Sequence, residues 1–198
     1  MTELFIKYYQ YYKSLGDKTF EQLSEEDVFW QNDPGSNSIA VIVQHLSGNM
    51  VSRWTRFQTE DGEKSWRNRD HEFEVHLTTK DEVVQAWEKG WGVLFEALDT
   101  VTDEQLCQRI EIRGEPHTVA DAVLRQIAHY AYHVGQMVFI AKLKKESSWK
   151  SLSIPRNESG SYNEKTFRRH DTDPLPQHSS PVCFAEDDEV RDEYRTDS

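Results

Sequence analysis

His129 and His133 lie four residues apart in a segment whose apolar residues Ile127, Tyr130, Val134, Met137 and Ile140 follow a helical period. Two imidazoles at that spacing share one face of a helix and can hold a single ion between them. Neutral imidazole is a good ligand for Zn, Ni, Cu or Fe, and two rings preset on one helix spare ordering entropy. A third histidine, His45, lies in another apolar segment, with Val41, Ile42, Gly48 and Asn49 as its helical neighbours. Glycine is a poor helix former, and room for a ligand beside His45 would explain Gly48. Three His ligands leave a coordination position open, as catalytic rather than structural zinc sites do. The same pair also suits a hydrogen-bonded core contact, and spacing alone does not carry His45 to the other two.

Gln126 and Gln136 stand three residues from His129 and His133 and are candidates to orient the rings. No Asp or Glu lies at helical spacing from either histidine, which weakens a hydrolytic reading that needs a carboxylate base. The run Trp66-Arg67-Asn68-Arg69-Asp70-His71-Glu72-Phe73 gathers cations, anions and aromatics. Two readings stay open there. Arg67 and Arg69 could grip the carboxylates of a thiol cofactor, or the charges could pair internally and pin the loop. His71 and His76, five apart in a polar stretch, do not suggest a second site. There is no Gly-rich phosphate loop, GxSxG elbow or Cys/His nucleophile pair.

The elements that must position these residues are helices. Phe5, Tyr8, Tyr9, Tyr12 and Leu15 mark a first apolar face. Asp33-Pro34-Gly35 is turn chemistry, with Ser36 or Ser38 as cap of a second helix bearing Ile39, Ile42, Leu46, Met50, Trp54 and Phe57. Gln58–Leu77 reads as a long crossover loop. Val83, Trp87, Trp91, Leu94, Leu98 and Val101 define a third helix, with the two tryptophans as core. Leu106–Val119 alternates around Gly114 as a small hairpin would. Val119 to Ala141 forms the fourth helix, and Lys142, Lys144 and Lys145 suit its negative end. The expected fold is all-α, a four-helix bundle over 1–146 with a small hairpin before the last helix.

The chain has 198 residues, enough for one domain and a tail. Its mean hydropathy of −0.80 is low, and the last quarter accounts for that. Residues 147–198 hold 12 hydrophobic residues in 52, against 59 in the preceding 146, and four of the six prolines. The segment 147–156 is expected to pack back through Trp149, Leu152 and Ile154, and 157–198 to be a polar, disordered tail. With 23 basic and 35 acidic residues the net charge is −12, which argues against nucleic acid or an anionic membrane as partner. No apolar run reaches membrane length. Cys107 and Cys183 are far apart, so no disulfide framework or CxxC site is expected. A cytoplasmic location follows as the expectation.

The segments "HLSGNM" and "IAHYAYHVGQM" resemble the DinB/YfiT-like superfamily of metal-binding four-helix bundles, over about residues 1–146. "GSNSIAVIVQHLSGNM", "DGEKSWRNRDHEFE" and "WKSLSIPR" look closer to a bacillus-type subfamily of unknown function. The resemblance implies that His45, His129 and His133 bind a divalent transition metal, Zn or Ni first, with Fe or Mn as alternatives. It also implies an S-transferase that joins a low-molecular-weight thiol such as bacillithiol to a small-molecule electrophile. A metal-dependent hydrolase using the same site and a non-enzymatic, metal-stabilised binding module are the alternatives. A homodimer is a candidate assembly.

Overall fold

The computed structural model describes residues 1–170, with side chains through residue 167. In order, the helices are α1 (Thr2–Phe20), α2 (Glu25–Phe29), α3 (Ile39–Trp54), α4 (Lys80–Leu98), α5 (Val119–Lys145) and α6 (Ser159–His170). The four long helices α1, α3, α4 and α5 form the expected bundle, with α3 along α4 and α1 along α5. The chain divides into two compact units, Met1–Ser153 and a second that begins at Ile154. No helix among the described residues is long and apolar enough to cross a membrane.

Helix boundaries follow local chemistry. Ser38 caps α3 by accepting from the Val41 N–H, while Ser36 bonds Asp33 in the preceding turn. Thr79 and Glu82 form a capping box at α4, and Thr118 caps α5. α5 ends in Lys142, Lys144 and Lys145, placed where the helix dipole favours cations. The short α2, which apolar periodicity does not reveal in five residues, is announced by its Ser24–Asp27 capping box.

The hairpin pairs β1 (Arg109–Ile112) with β2 (Glu115–Thr118), antiparallel, with Ile112 opposite Glu115. Its two-residue turn places Arg113 and Gly114 at φ 57° and 72°, the left-handed pair that such tight hairpins require. Asp61 holds this turn, its carboxylate accepting from the Arg113 N–H at 2.8 Å and the Gly114 N–H at 2.6 Å. The hairpin is thereby tied to the crossover between α3 and α4.

The core is aromatic. Tyr9, Trp54, Trp87, Trp91 and Tyr130 are all essentially buried, and their rings meet edge to face or tilted. Tyr130 on α5 donates its hydroxyl to Asn49 Oδ1 at 3.1 Å and accepts from Trp54 Nε1 at 3.1 Å, which joins α5 to α3. Trp149 packs against the core, and the Lys150 backbone pairs with the Gln22 amide at 2.8 and 3.1 Å. Of the tail in which no regular element is expected, Ser159–His170 form α6, a helix held by local backbone bonds; Tyr162 and Phe167 on it are exposed. Residues 171–198 of that tail lie outside the described residues.

α1 and α4 approach closely where Gly16 meets the Trp87 indole: a Cβ there would lie 2.2 Å from Trp87 Cζ2. The same indole donates Nε1–H to Asp17 at 2.7 Å, so it has little freedom to move away. Gly16→Ala is expected to lower the unfolding free energy by about 1–3 kcal/mol. The better helix propensity of alanine, up to about 1 kcal/mol, offsets only part of this. Urea denaturation of the variant measures it; unchanged stability would mean that Trp87 can yield.

Candidate metal centre

The three histidines meet. His45 from α3 and His129 and His133 from α5 bring one ring nitrogen each within 4.8 Å of one another. Ring centroids are 5.4 Å apart for His45–His129, 5.0 Å for His45–His133 and 4.8 Å for His129–His133. The bridge across the bundle, which spacing could not supply, comes from the Tyr130 hydrogen bonds one residue after His129 and one helical turn after His45.

Each ring is oriented from behind. His45 Nδ1 lies 2.9 Å from Glu72 Oε2, His129 Nδ1 lies 3.2 Å from Gln126 Oε1, and His133 Nδ1 lies 2.8 Å from Gln136 Oε1. All three partners are acceptors, so each Nδ1 carries the proton and each Nε2 presents a lone pair. In neutral rings the His45 and His129 Nε2 atoms then face each other at 3.3 Å with no proton between them. Two facing lone pairs repel unless a cation sits near both. A tetrahedral ion with Zn–N bonds of about 2.0–2.1 Å sets its ligand nitrogens about 3.3 Å apart, so the residues present fit a divalent transition ion.

Electrostatics keep the rings available. Burial, then the neighbouring His133, His45, Arg67 and Arg53, lower the His129 pKa from 6.5 to about 3. Burial and His45 bring His133 to about 4, against a small opposing effect of Gln136. Both rings are therefore neutral at physiological pH, as ligation requires.

Glu72 is the site residue that helical spacing could not find, because it comes from the crossover loop in a 3-10 turn, Asp70–Phe73. Its carboxylate accepts from Arg67 Nε at 2.7 Å and Nη2 at 2.8 Å as well as from His45. Burial pushes this carboxyl up, but the His45 and Arg67 bonds prevail and hold it below its ordinary range. Gly48 has a different reason from the one its sequence position suggests. A Cβ there would stand 2.3 Å from Glu72 Oε1, so the glycine admits this carboxylate rather than a ligand.

The two arginines of the loop differ in placement. The Arg67 side chain is 3% exposed, bound to Glu72 and, at 3.1 Å, to Glu63. Arg69 is half exposed; its guanidinium lies 5.1 Å over the Phe73 ring, which in turn stacks on His45 at 4.9 Å. His71, Glu74 and His76 form a second close group, wholly at the surface. The three-His cluster opens into a cavity of about 520 Å³, whose lining includes Arg53, Arg67, Arg69, Arg113 and Arg125 but no Asp or Glu. Arg53 repeats the His45–Asn49 step by four residues, and Arg125 precedes His129 by four. That ridge was the available signal for them.

A family model described as a protein of unknown function (DUF1572) matches residues 2–158. Among curated proteins, none matches the chain.

Glu72→Gln should retain the fold but present an amide N–H to Arg67, loosening His45. Metal affinity is expected to fall about 10–100-fold, measured by competition with a chromophoric chelator. The metal-free protein should also be acid-sensitive. Unfolded histidines take up protons near pH 6.5, whereas His129 and His133 resist protonation until about pH 3 and 4. This contribution is complete above about pH 6.5 and is lost as pH falls through that window. Thermal midpoints between neutral and mildly acid pH should decline less steeply in the His129→Gln/His133→Gln variant.

Proposed function

We propose that this chain, which belongs to the DUF1572 family, is a metal-dependent enzyme that joins a low-molecular-weight thiol to a small-molecule electrophile. The resemblance to the DinB/YfiT-like superfamily supports the reaction class. The observation that carries the metal is the facing of two Nε2 lone pairs at 3.3 Å, with every Nδ1 held from behind. His45, His129 and His133 would hold a divalent transition ion, Zn or Ni by the all-nitrogen donor set. When bound, such an ion is a Lewis acid that favours thiolate over thiol at neutral pH, where a free thiol of pKa about 8.5 is mostly protonated.

The chain's own residues do the remaining work. Glu72, Gln126 and Gln136 fix three ring orientations before any reactant arrives, which removes reorganisation from the reaction itself. The neutral rings do not compete for the thiol proton, which leaves to solvent through the cavity mouth. The arginine-lined wall favours an anionic nucleophile over its neutral acid. A cavity of about 520 Å³ is of the size that binds small molecules. Hydrolysis at the same place would call for a free carboxylate, and both Glu72 oxygens are engaged by His45 and Arg67. The reaction belongs in a compartment where thiols stay reduced, as in the cytoplasm.

His133→Ala tests this reading. Alanine is the best helix former and all four apolar helix faces remain, so helicity by circular dichroism should persist. Metal content by elemental analysis should drop, with affinity reduced by more than the roughly 100-fold of an outer partner. Thiol consumption with a chromogenic electrophile should vanish with it. A variant that kept its metal and its full thiol-transfer rate would sink the assignment.

A further inference from the structure

Arg53 is the least reconciled charge in the molecule. It is 4% exposed on α3, yet its Nε and Nη1 have no hydrogen-bond partner, and its nearest carboxylate, Glu63, stands 3.9 Å from Nη2. Burial outweighs the pull of Glu63 and holds the guanidinium below its ordinary range. A buried cation without close partners destabilises a fold, and an apolar side chain of similar volume would normally serve better. Its neighbours do not relieve it. Glu63 is shared with Arg67 at 3.1 Å and with Arg113 at 3.3 Å. Arg125, exposed on α5 and lining the same cavity, has no acidic partner among the described residues. The wall beside the three histidines thus carries excess positive charge within a chain of net charge −12.

We infer that Arg53 and Arg125, with Arg113 at the rim, form an oxyanion subsite that receives a carboxylate or phosphate group of a reactant. The inference rests on the reading of the three-His cluster as the reaction centre, since the subsite opens into the same cavity. Arg67 is excluded from this role because Glu72 and Glu63 already occupy its guanidinium. Arg69 is directed onto Phe73. A bound oxyanion supplies the acceptors that Arg53 lacks, through charge-assisted hydrogen bonds in a partly desolvated site. The acidic remainder of the surface disfavours anions elsewhere, which concentrates such a reactant at this wall.

The test is calorimetric titration of the full-length protein, as purified, with succinate, inorganic phosphate and the neutral diester dimethyl succinate. Either anion should bind saturably at millimolar concentration or below, and the diester should not. Comparison of the two anions identifies carboxylate or phosphate as the preferred group. Arg125→Ala, an exposed change, should weaken binding about tenfold or more, and Arg53→Met likewise. Arg53→Met should leave the thermal midpoint equal or higher, because it removes an unreconciled buried charge. His133→Ala separates the two readings. Anion binding that survives in this metal-poor variant is carried by the arginines, whatever becomes of the metal assignment. Binding lost with His133→Ala but kept in both arginine variants would place the anion on the ion and overturn the subsite. So would the absence of saturable binding, or an Arg53→Met protein that melts earlier yet still binds.

Discussion

Everything at the three-His cluster depends on a single register between α3 and α5, and Tyr130 sets it. Its hydroxyl is fully buried, so it must find partners, and it finds Asn49 and Trp54 on α3. A slip of either helix would strand these polar groups in an aromatic core, at about 1–3 kcal/mol for each unsatisfied group. Because Asn49 follows His45 by one turn and Tyr130 follows His129 by one residue, the register that satisfies the hydroxyl also brings the imidazoles together. Apolar packing between the same helices tolerates small shifts. Hydrogen bonding does not.

The second constraint is the Glu72 carboxylate, which joins a loop to the bundle at the point of interest. It needs the space left by Gly48, the two parallel bonds from Arg67 and the ring of His45 at once. Burial of this ion pair does little for net stability, since desolvation offsets the attraction. What it supplies is orientation: His45 has one usable lone pair, aimed at its counterpart on α5. Asp61 acts similarly a few residues earlier, fastening the Arg113–Gly114 turn to the crossover. The polar loop is therefore the frame of the cavity rather than a mere connection.

A tension runs through this end of the molecule. The aromatic core and capped helices are locally consistent, whereas the cavity gathers rings held neutral by burial and a cation, Arg53, with unmet donors. Such departures from the most stable arrangement are where function is expected to lie. They also explain why stripping metal or lowering pH should weaken a bundle whose apolar packing is otherwise untouched.

The sequence by itself determined the helices, because apolar residues repeating every three to four positions can bury only as one face of a helix. It also determined the hairpin turn at Arg113–Gly114, the caps at Ser38 and Thr79, and the placing of His129 and His133 on one face, all of which depend on neighbours a few residues away. It did not determine α2, too short to show a period, nor the helix at Ser159–His170, whose polar composition hides it. Tertiary structure alone decided that His45 joins the pair, since no local rule sets the register of two helices distant in sequence. It alone decided that Glu72 rather than a ligand fills the space at Gly48, and that Arg67 is occupied while Arg53 is not. A charge in sequence has no partner until the chain closes around it, and the partner determines whether it holds the fold or remains free to meet a reactant.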